Sequence, residues 1–526
     1  MLSSFLLRLI AGVLLCAAVQ AHALTAEAAR AMAAGDTDER IAALQAAIAT
    51  PDGATVAFVR AMADDAVKIA GDQAIVVKDD KGYDPVTGAE VPVPEDAEDI
   101  VNNNRMRGEF DSALASLQLL SSDVAERRAA IDALREETDD ARLPLIEKAL
   151  AAEQDSALKA RLESIRARIL IASGDAAKRL DAAQHLAASG NPATRTVLLE
   201  QLRGEEDPKV KAALQAALQS VEERLQWGER LAAMFSGISL GSILLLVALG
   251  LAITYGLMGV INMAHGELMM IGAYATYVMQ GVFQRYFPGA FDWYLVAAVP
   301  AAFMASALMG AVLERGVIRF LYGRPLETLL ATWGISLMLQ QLVRSVFGAQ
   351  NVGVENPAWM SGGVQLMDNL QLPWNRVIIV AFALAVLAGV AFLISKTRLG
   401  LFVRGVTQNR PIASCMGVNT ARVDTYAFAL GSGIAGLAGC ALSQVGNVGP
   451  DLGQGYIVDS FMVVVLGGVG QLAGTVYAAL GLGVLNKFLE GWTGAVLAKI
   501  AVLVFIIIFI QKRPQGIFAV KGRTAD

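Results

Sequence analysis

The chain has 526 residues, of which 55% are hydrophobic and only 17% charged, and its formal net charge is −6. Residues 24–230 carry 25 Lys and Arg against 38 Asp and Glu, whereas residues 231–526 carry 17 against 11. The acidic first half excludes a nucleic-acid binder, which presents a basic surface. The second half has too few charges for a soluble domain, so the composition predicts a membrane protein.

The first 23 residues are predicted to be an export signal. They hold one cation, Arg8, then an apolar run over 9–19 and a small-x-small pattern at 21–23. An uncleaved anchor is the alternative, although the run is short for a span. Cys415 and Cys440 are the cysteines beyond this segment, and both lie in the membrane half. No disulfide framework is therefore expected in the exported region.

Residues 24–230 are predicted to form an exported, periplasmic α-helical domain. Two stretches are alike at an offset of 52–53 residues: Leu134, Arg142, Leu145, Glu147, Asp155, Lys159 and Leu162 recur as Leu186, Arg195, Leu198, Glu200, Asp207, Lys211 and Leu214. This offset predicts antiparallel helix pairs stacked in the manner of HEAT repeats. A small β-hairpin is expected from residues 74–77 and 90–93. With one histidine and no cysteine, the region indicates a binding scaffold.

Residues 231–526 are predicted to form an all-α, polytopic membrane domain. A span needs about 20 apolar residues, and stretches without charge give about eight to ten segments, nine in the preferred interpretation. The shortest are expected to be half-helices or re-entrant. The nine segments lie at about 236–260, 268–283, 294–313, 328–348, 376–395, 425–446, 458–474, 475–490 and 496–511.

Lysine and arginine cluster in three places between or after these segments. The clusters are Arg315, Arg319 and Arg324; Lys396, Arg398, Arg404, Arg410 and Arg422; and Lys512, Arg513, Lys521 and Arg523. Positive residues prefer the cytoplasmic side. Placing all three clusters inside requires an odd number of spans, with residues 24–230 in the periplasm and the C-terminus in the cytoplasm.

Two glycine-rich stretches do not predict nucleotide binding. Residues 467–475 have the glycines of a phosphate loop but no lysine, and residues 431–436 match GxGxxG without a preceding strand. Gly431, Ala435 and Gly439 instead form a small-residue helix face suited to close packing in lipid. The chain is thus predicted to be no enzyme and to bind no cofactor or metal, so that any ATP is hydrolysed by another chain.

Polar residues at membrane depth are candidates for a solute path, because they are costly there. Asn262, His265 and Glu267 interrupt the first apolar stretch. A broken segment of this kind lines a path in some membrane proteins, and a cytoplasmic turn with a solvated or arginine-paired Glu267 is the equal alternative. Four residues of the fourth segment partly share a helical face and either meet the path or form interhelical hydrogen bonds. They are Thr332, Ser336, Gln340 and Gln341.

Residues 399–418 mix cations with an amphipathic pattern. Asn409 is predicted to cap a short helix, Pro411 to occupy its first turn and Gly417 to end it. Such a helix at the cytoplasmic surface would contact a partner protein, or it would lie on lipid headgroups. The candidate coupling residues are Arg404, Asn409, Arg410, Pro411, Ala413, Ser414 and Gly417.

Three motifs resemble those of ABC-importer permeases of the branched-chain amino-acid type. They are GLMGVINMAHGELMMIGAY at 256–274, VVLGGVG at 464–470 and KRPQGIF at 512–518. Within that family, an exported helical extension before the membrane domain resembles the first permease subunit of urea importers. The resemblance implies an inner-membrane location, a second permease subunit, two cytoplasmic ATPase subunits and a periplasmic solute-binding protein. It also implies that 399–418 is the segment docking on an ATPase, although no glutamate precedes Gly417 as in the common EAA-G pattern.

The expected function is therefore a permease subunit that moves urea inward by alternating access. Importers of branched-chain amino acids or short-chain amides are the alternatives within this class. A passive urea or amide channel, and an exported sensor anchored by the membrane half, are the alternatives outside it.

Overall fold

The computed structural model describes residues 24–49, 53–78, 81–94, 97–135, 137–259 and 261–518. The predicted export signal, and Lys521 and Arg523 of the third basic cluster, lie outside these residues. The described chain divides into two compact units, the first ending at Leu225 and the second beginning at Gln226.

The first unit is mostly helical. Its helices are α1 (Ala26–Ala33), α2 (Thr37–Ala49), α3 (Gly53–Ala63), α4 (Asn104–Gln118), α5 (Val124–Ala133), α6 (Leu143–Ala152), α7 (Ser156–Leu170), α8 (Ala176–Leu186), α9 (Pro192–Gly204) and α10 (Pro208–Met258), which continues into the second unit. Asparagine and aspartate cap several of them: Asn103 caps α4, Asp123 α5, Asp155 α7 and Asp175 α8. Each side chain accepts a backbone N–H that has no partner within the helix.

The predicted two-stranded hairpin is wrong, because a five-stranded antiparallel sheet occupies this region. Its strands are β1 (Val67–Ala70), β2 (Gln73–Lys78), β3 (Lys81–Tyr83), β4 (Glu90–Val91) and β5 (Glu98–Asp99), in the order β4-β3-β2-β1-β5. The residues expected in the loop form β3, which pairs with both β2 and β4. A tight turn at Gly71, where φ is +59°, joins β1 to β2. The first unit is therefore not purely helical.

The offset of about 52 residues found in the sequence is also present in two equivalent ion pairs. Arg127 donates to both oxygens of Glu153, and Arg179 donates to both oxygens of Glu205 in the same pattern. The helices α4, α7 and α10, however, begin at residues 104, 156 and 208, so each interval contains three helices. Helix pairs stacked as in HEAT repeats therefore stay a prediction for these residues.

Each predicted membrane segment falls on a helix of the second unit. Those helices are α10, α11 (His265–Tyr286), α12 (Tyr294–Gly316), α13 (Pro325–Phe347), α14 (Trp374–Lys396), α17 (Thr420–Ser443), α18 (Leu452–Gly467), α19 (Leu472–Thr493) and α20 (Ala495–Lys512). Two shorter helices, α15 (Arg398–Gln408) and α16 (Arg410–Cys415), lie between α14 and α17, and a hairpin of β6 (Gly363–Met367) and β7 (Leu370–Pro373) precedes α14.

Six helices of the described chain are long and apolar enough to cross a membrane. They are Pro208–Gly256, Pro288–Gly316, Trp374–Lys396, Thr420–Ser443, Leu472–Thr493 and Ala495–Lys512. The break predicted at 474/475 is misplaced, because α18 ends at Gly467 and α19 begins at Leu472. Gly468 and Gly470 have φ of +99° and +81°, a conformation that ends a helix and that side-chain-bearing residues disfavour.

The connections between these helices gather at two ends of the bundle. At one end, Asp292 accepts the N–H of Ala358, and Val352 pairs with Val448. At the other end, Arg319 donates to Thr425 and the C-terminal segment bonds to Leu466 through the N–H of Ile517. The described residues of all three basic clusters belong to this second end, which we call the basic end.

Helices α11, α12 and α17 form a tightly packed core in the second unit. A Cβ at Gly439 of α17 would collide with the carbonyl oxygen of Met269 on α11, and one at Gly431 would lie 2.7 Å from the carbonyl oxygen of Gly250. Ala435 is fully buried between these two positions. The small-residue face predicted at 431, 435 and 439 is therefore confirmed as a close-packing surface.

Candidate functional site

The helical backbone is interrupted inside the second unit between α10 and α11. His265, the first residue of α11, has its Nε2 3.1 Å from the carbonyl oxygen of Val247, about three turns before α10 ends. The connecting residues must therefore run back alongside α10 before α11 begins. Asn262, His265 and Glu267 are each at most 1% exposed. The break is therefore buried inside the unit, and Glu267 does not lie in a solvated turn.

Glu267 lies at the centre of a buried polar cluster with α13. Ser336 Oγ and Gln340 Nε2 each donate to Glu267 Oε1 at 2.8 Å. Glu267 Oε2 is buried and has no hydrogen-bond partner among the described residues. The carboxylate therefore presents one occupied oxygen and one unoccupied acceptor.

The other predicted path residues surround this carboxylate. Thr332 accepts the N–H of Met263 at 3.2 Å, so α13 anchors the connecting segment as well as Glu267. Asn262 Oδ1 accepts the N–H of Ala264 at 3.0 Å, whereas Asn262 Nδ2 is buried without a partner in the described chain. The structure thus brings together Asn262, Glu267, Thr332 and Gln340. His265 belongs to the same turn but bonds to α10.

The cluster offers an unused donor and an unused acceptor a few residues apart. A buried polar atom without a partner costs about 1–3 kcal/mol, so a solute carrying both a carbonyl oxygen and N–H groups would relieve that cost. Gln341, which was expected to share this face, is exposed instead. Ser336 completes the cluster because it lies one turn from Gln340 and one turn from Thr332. No group of three or more His, Cys, Asp or Glu that could hold a metal ion occurs among the described residues.

The predicted coupling segment forms two helices at the basic end. Asn409 caps α16 by accepting the N–H of Ile412 at 3.0 Å, and Pro411 lies in the first turn. Gly417 follows the last turn with φ of +83°. The cap, the first-turn proline and the terminating glycine are therefore confirmed as local structure. Ser414 is exposed and Ala413 half-buried.

Two of the predicted coupling arginines have roles inside the unit. Arg404 lines a cavity of about 490 Å³ between α10, α14, α15 and α17. Arg410 forms an ion pair with Asp424 of α17, and its guanidinium lies 5.0 Å from the centre of the Tyr322 ring. The exposed apolar residues of α16 are Ile412, which is 60% exposed, and Met416 just after it, which is 80% exposed.

Sequence reasoning missed the carboxylates Glu314 and Asp424. The Glu314 side chain is fully buried and the Asp424 side chain is 4% exposed. Both directly border stretches that were predicted as spans, at 294–313 and 425–446. The sequence did contain a signal for them, namely a carboxylate at the end of a span with arginines nearby. Such a carboxylate is expected to form an ion pair with an arginine of the same chain.

This fold is that of a polytopic membrane permease: apolar helices enclose a broken segment, and two amphipathic helices lie between spans at one end. Residues 233–511 match the family described as branched-chain amino acid transport system, permease component. The chain belongs to this family and is a multi-pass protein of the inner membrane.

Similar proteins match about half of this chain or less. The chain is 31% identical over 291 residues to the high-affinity branched-chain amino acid transport system permease protein LivH of Salmonella typhimurium. The matched region covers 54% of this chain and 94% of that protein. It is 27% identical over 290 residues to the high-affinity branched-chain amino acid transport system permease protein BraD of Pseudomonas aeruginosa, and the match covers 54% of this chain and 94% of that protein. The ribose import permease protein RbsC of Escherichia coli is 29% identical over 204 residues, covering 37% of this chain and 61% of that protein. No solved structure matches the chain.

Proposed function

We propose that the chain is a permease subunit of an ABC importer and that it moves urea from the periplasm to the cytoplasm by alternating access. Its partners are a second permease subunit, two cytoplasmic ATPase subunits and a periplasmic solute-binding protein. The chain itself binds no cofactor, and the ATP is hydrolysed by its partners. Family membership supports this proposal, because the relatives are named as permease proteins of transport systems.

The observation that carries the substrate proposal is the unused pair of polar atoms in the cluster. Urea has four N–H donors and one carbonyl acceptor. Glu267 Oε2 accepts an N–H, and Asn262 Nδ2 donates to the carbonyl, so that the two buried atoms replace part of the solute's water shell. Thr332 and Gln340 hold these two groups in place, and His265 fixes the start of α11 against α10. The family match begins at residue 233, so the region before it is additional to the permease domain. This addition supports the proposal that the chain belongs to a subfamily with an extra periplasmic domain.

The basic end supports the proposed orientation and the docking role of 399–418. Lysine and arginine of three separate connections are on one side of the bundle, as cytoplasmic loops require. The exposed Ile412 and Met416 give α16 and its end an apolar surface that a cytoplasmic ATPase subunit would cover. Asn409, Pro411, Ala413, Ser414 and Gly417 shape that surface, and Arg410 connects it to Asp424 of α17. Arg404, exposed on α15, adds a positive charge to the same segment.

Branched-chain amino acids are the second candidate, because the 31% identical relatives are named for them. Uptake of radiolabelled urea and of radiolabelled leucine, in a strain lacking the chain and complemented with it, separates the two. Urea uptake that leucine does not inhibit is expected. Leucine uptake without urea uptake would assign the amino-acid function instead.

The variant Glu267→Gln tests the cluster as the solute path. An acceptor carboxylate contributes about 1.5–3 kcal/mol to a hydrogen bond, so uptake is expected to fall about tenfold or more while the protein still reaches the membrane. Glu327→Gln is the matched control, since Glu327 is 57% exposed at its side chain and pairs only with Arg324 nearby. Equal uptake by both variants would remove Glu267 from the path.

A further inference from the structure

A continuous set of polar contacts joins the short helix α16 to α12 and α17, the helices that pack against α11. It begins at Arg410, the first residue of α16, whose guanidinium pairs with Asp424 of α17 and lies over the ring of Tyr322. Tyr322 Oη donates to Glu314 Oε1 at 3.3 Å. The contacts therefore lead from an exposed helix to the fully buried carboxylate Glu314 of α12.

Glu314 closes the set between α12 and α17. Thr425 Oγ1 donates to Glu314 Oε2 at 2.7 Å, and Arg319 Nη2 donates to the same oxygen at 3.3 Å and to Thr425 Oγ1 at 3.1 Å. Two arginines thus face two buried carboxylates, so that the charges balance within the set. Removing one partner of such a pair leaves an uncompensated buried charge. An arrangement of α12, α16 and α17 that separated the partners would have the same cost, so these contacts favour one arrangement of the three helices.

The same helices then contact α11 through backbone atoms. Gly272 of α11 and Gly436 of α17 are so close that a Cβ on Gly272 would overlap Gly436. Ser306 of α12 donates to the carbonyl oxygen of Leu268, the residue after Glu267, at 2.8 Å. Because close-packed interiors transmit strain, these contacts connect a displacement of α12 or α17 to α11.

We propose that the ion pair of Arg410 with Asp424, together with Tyr322, Glu314, Arg319 and Thr425, transmits displacement of α16 to the first turn of α11. We call these six residues the transmission set. The inference rests on the proposed function, because it assumes that a motor protein displaces α16. It assigns to the set a role separate from docking: breaking it leaves the motor bound and hydrolysing ATP without moving solute.

The test uses the full transporter complex in proteoliposomes and measures ATP hydrolysis and radiolabelled urea and leucine uptake in the same vesicles. Asp424→Asn removes the charge that holds Arg410. We expect the complex to remain assembled and its ATPase rate to stay within about twofold, while solute moved per ATP falls about tenfold or more. The matched control is Arg422→Gln, because Arg422 is exposed in the same helical turn.

Two further variants keep the test decisive if Asp424→Asn does not accumulate. Tyr322→Phe keeps the ring beneath Arg410 and removes the hydroxyl that donates to Glu314, so a smaller loss of solute per ATP is expected. The double exchange Arg410→Asp with Asp424→Arg restores an ion pair and should recover part of the coupling that either single variant loses.

The outcomes separate the two proposals. A wild-type complex that neither hydrolyses ATP nor transports either solute refutes the proposed function itself. If the wild type couples and Asp424→Asn keeps the same ratio of solute to ATP as Arg422→Gln, the transmission set is refuted while the permease function stands. Loss of ATPase binding in Asp424→Asn and Tyr322→Phe also overturns it, because the residues would then serve docking.

Discussion

The stability of the first unit is expected to depend strongly on one carboxylate, Glu205. Its side chain is only 2% exposed, and it accepts hydrogen bonds from Arg179 Nε at 2.7 Å and Arg179 Nη2 at 2.9 Å. It also accepts the N–H of Asp207 at 3.0 Å, just before α10 begins. The substitution Glu205→Gln keeps the shape of the side chain and removes its charge.

The magnitude follows from the contacts that glutamine cannot replace. Its amide nitrogen must face either the guanidinium or a backbone N–H, so at least one bond to a charged group is lost, at about 1.5–3 kcal/mol. The guanidinium of Arg179 is 14% exposed and loses the carboxylate with which it pairs. Removing one partner of a buried pair costs about 3–5 kcal/mol, so we expect the unfolding free energy of this unit to fall by about 3 kcal/mol.

Hydrogen–deuterium exchange of the full-length protein in nanodiscs measures this change. Amides of α8 and of the first turns of α10 should exchange about a hundredfold faster in Glu205→Gln, since 1.4 kcal/mol corresponds to a factor of ten. Glu200→Gln is the control, because Glu200 is exposed on α9. Glu153→Gln should act like Glu205→Gln on α5 and α7, because Arg127 makes the same contacts there. Exchange in Glu205→Gln no faster than in Glu200→Gln would refute the reasoning.

The same carboxylate predicts a pH dependence. Hydrogen bonds from Arg179 lower the pKa of Glu205 from 4.5 to about 2. A group with a lower pKa in the folded state stabilises fully above its unfolded pKa, and the contribution is lost as the pH falls through the folded pKa. Between pH 4.5 and 2 the wild type should therefore lose protection, whereas Glu205→Gln has no such group to titrate. A parallel loss in both proteins would contradict this assignment.

Three further substitutions test separate parts of the structure. Gly439→Val should prevent assembly of the second unit, because any Cβ there meets the carbonyl oxygen of Met269; a normal yield of folded protein in detergent would contradict the packing. Gly417→Glu places a side chain at φ of +83°, at about 1–2 kcal/mol, and should abolish ATP-driven uptake while leaving the flux of a passive channel unchanged. Leu198→Ala, at a fully buried position, should lower the unfolding free energy of the first unit by about 2–5 kcal/mol, as chemical denaturation of the full chain would show.

The helical part of the fold was predictable because its signals are local. Absence of charge over about 20 residues marks a span, and each predicted segment falls on a helix. The errors occur where strand pairing or backbone conformation determines the local structure. The short strand at 81–83 forms because it pairs with β2 and β4, and its own residues do not indicate a strand. The break after Gly467 depends on positive φ angles, which glycine permits but does not always adopt.

The candidate site was predictable in composition and not in geometry. Polar residues inside an apolar stretch pointed to Asn262, His265 and Glu267, because such residues are costly there. Their sequence did not show that α11 begins deep beside Val247, nor that His265 faces α10 while Glu267 faces α13. Those facts arise from long-range contacts, as does the pairing of Arg410 with Asp424, which connects a predicted coupling residue to α17.

The unpartnered atoms of the cluster bear directly on how a permease releases its solute. Among the described residues, Glu267 Oε2 and Asn262 Nδ2 have no hydrogen-bond partner, at a cost of about 1–3 kcal/mol each. The close contact of Gly272 with Gly436 holds α11 against α17 within two turns of Glu267. In the proposed function, a solute supplies the partners that these two atoms lack. If the transmission set acts as proposed, displacement of α17 also moves α11 through this contact, so that hydrogen bonds to solute form in one conformation and weaken in the other.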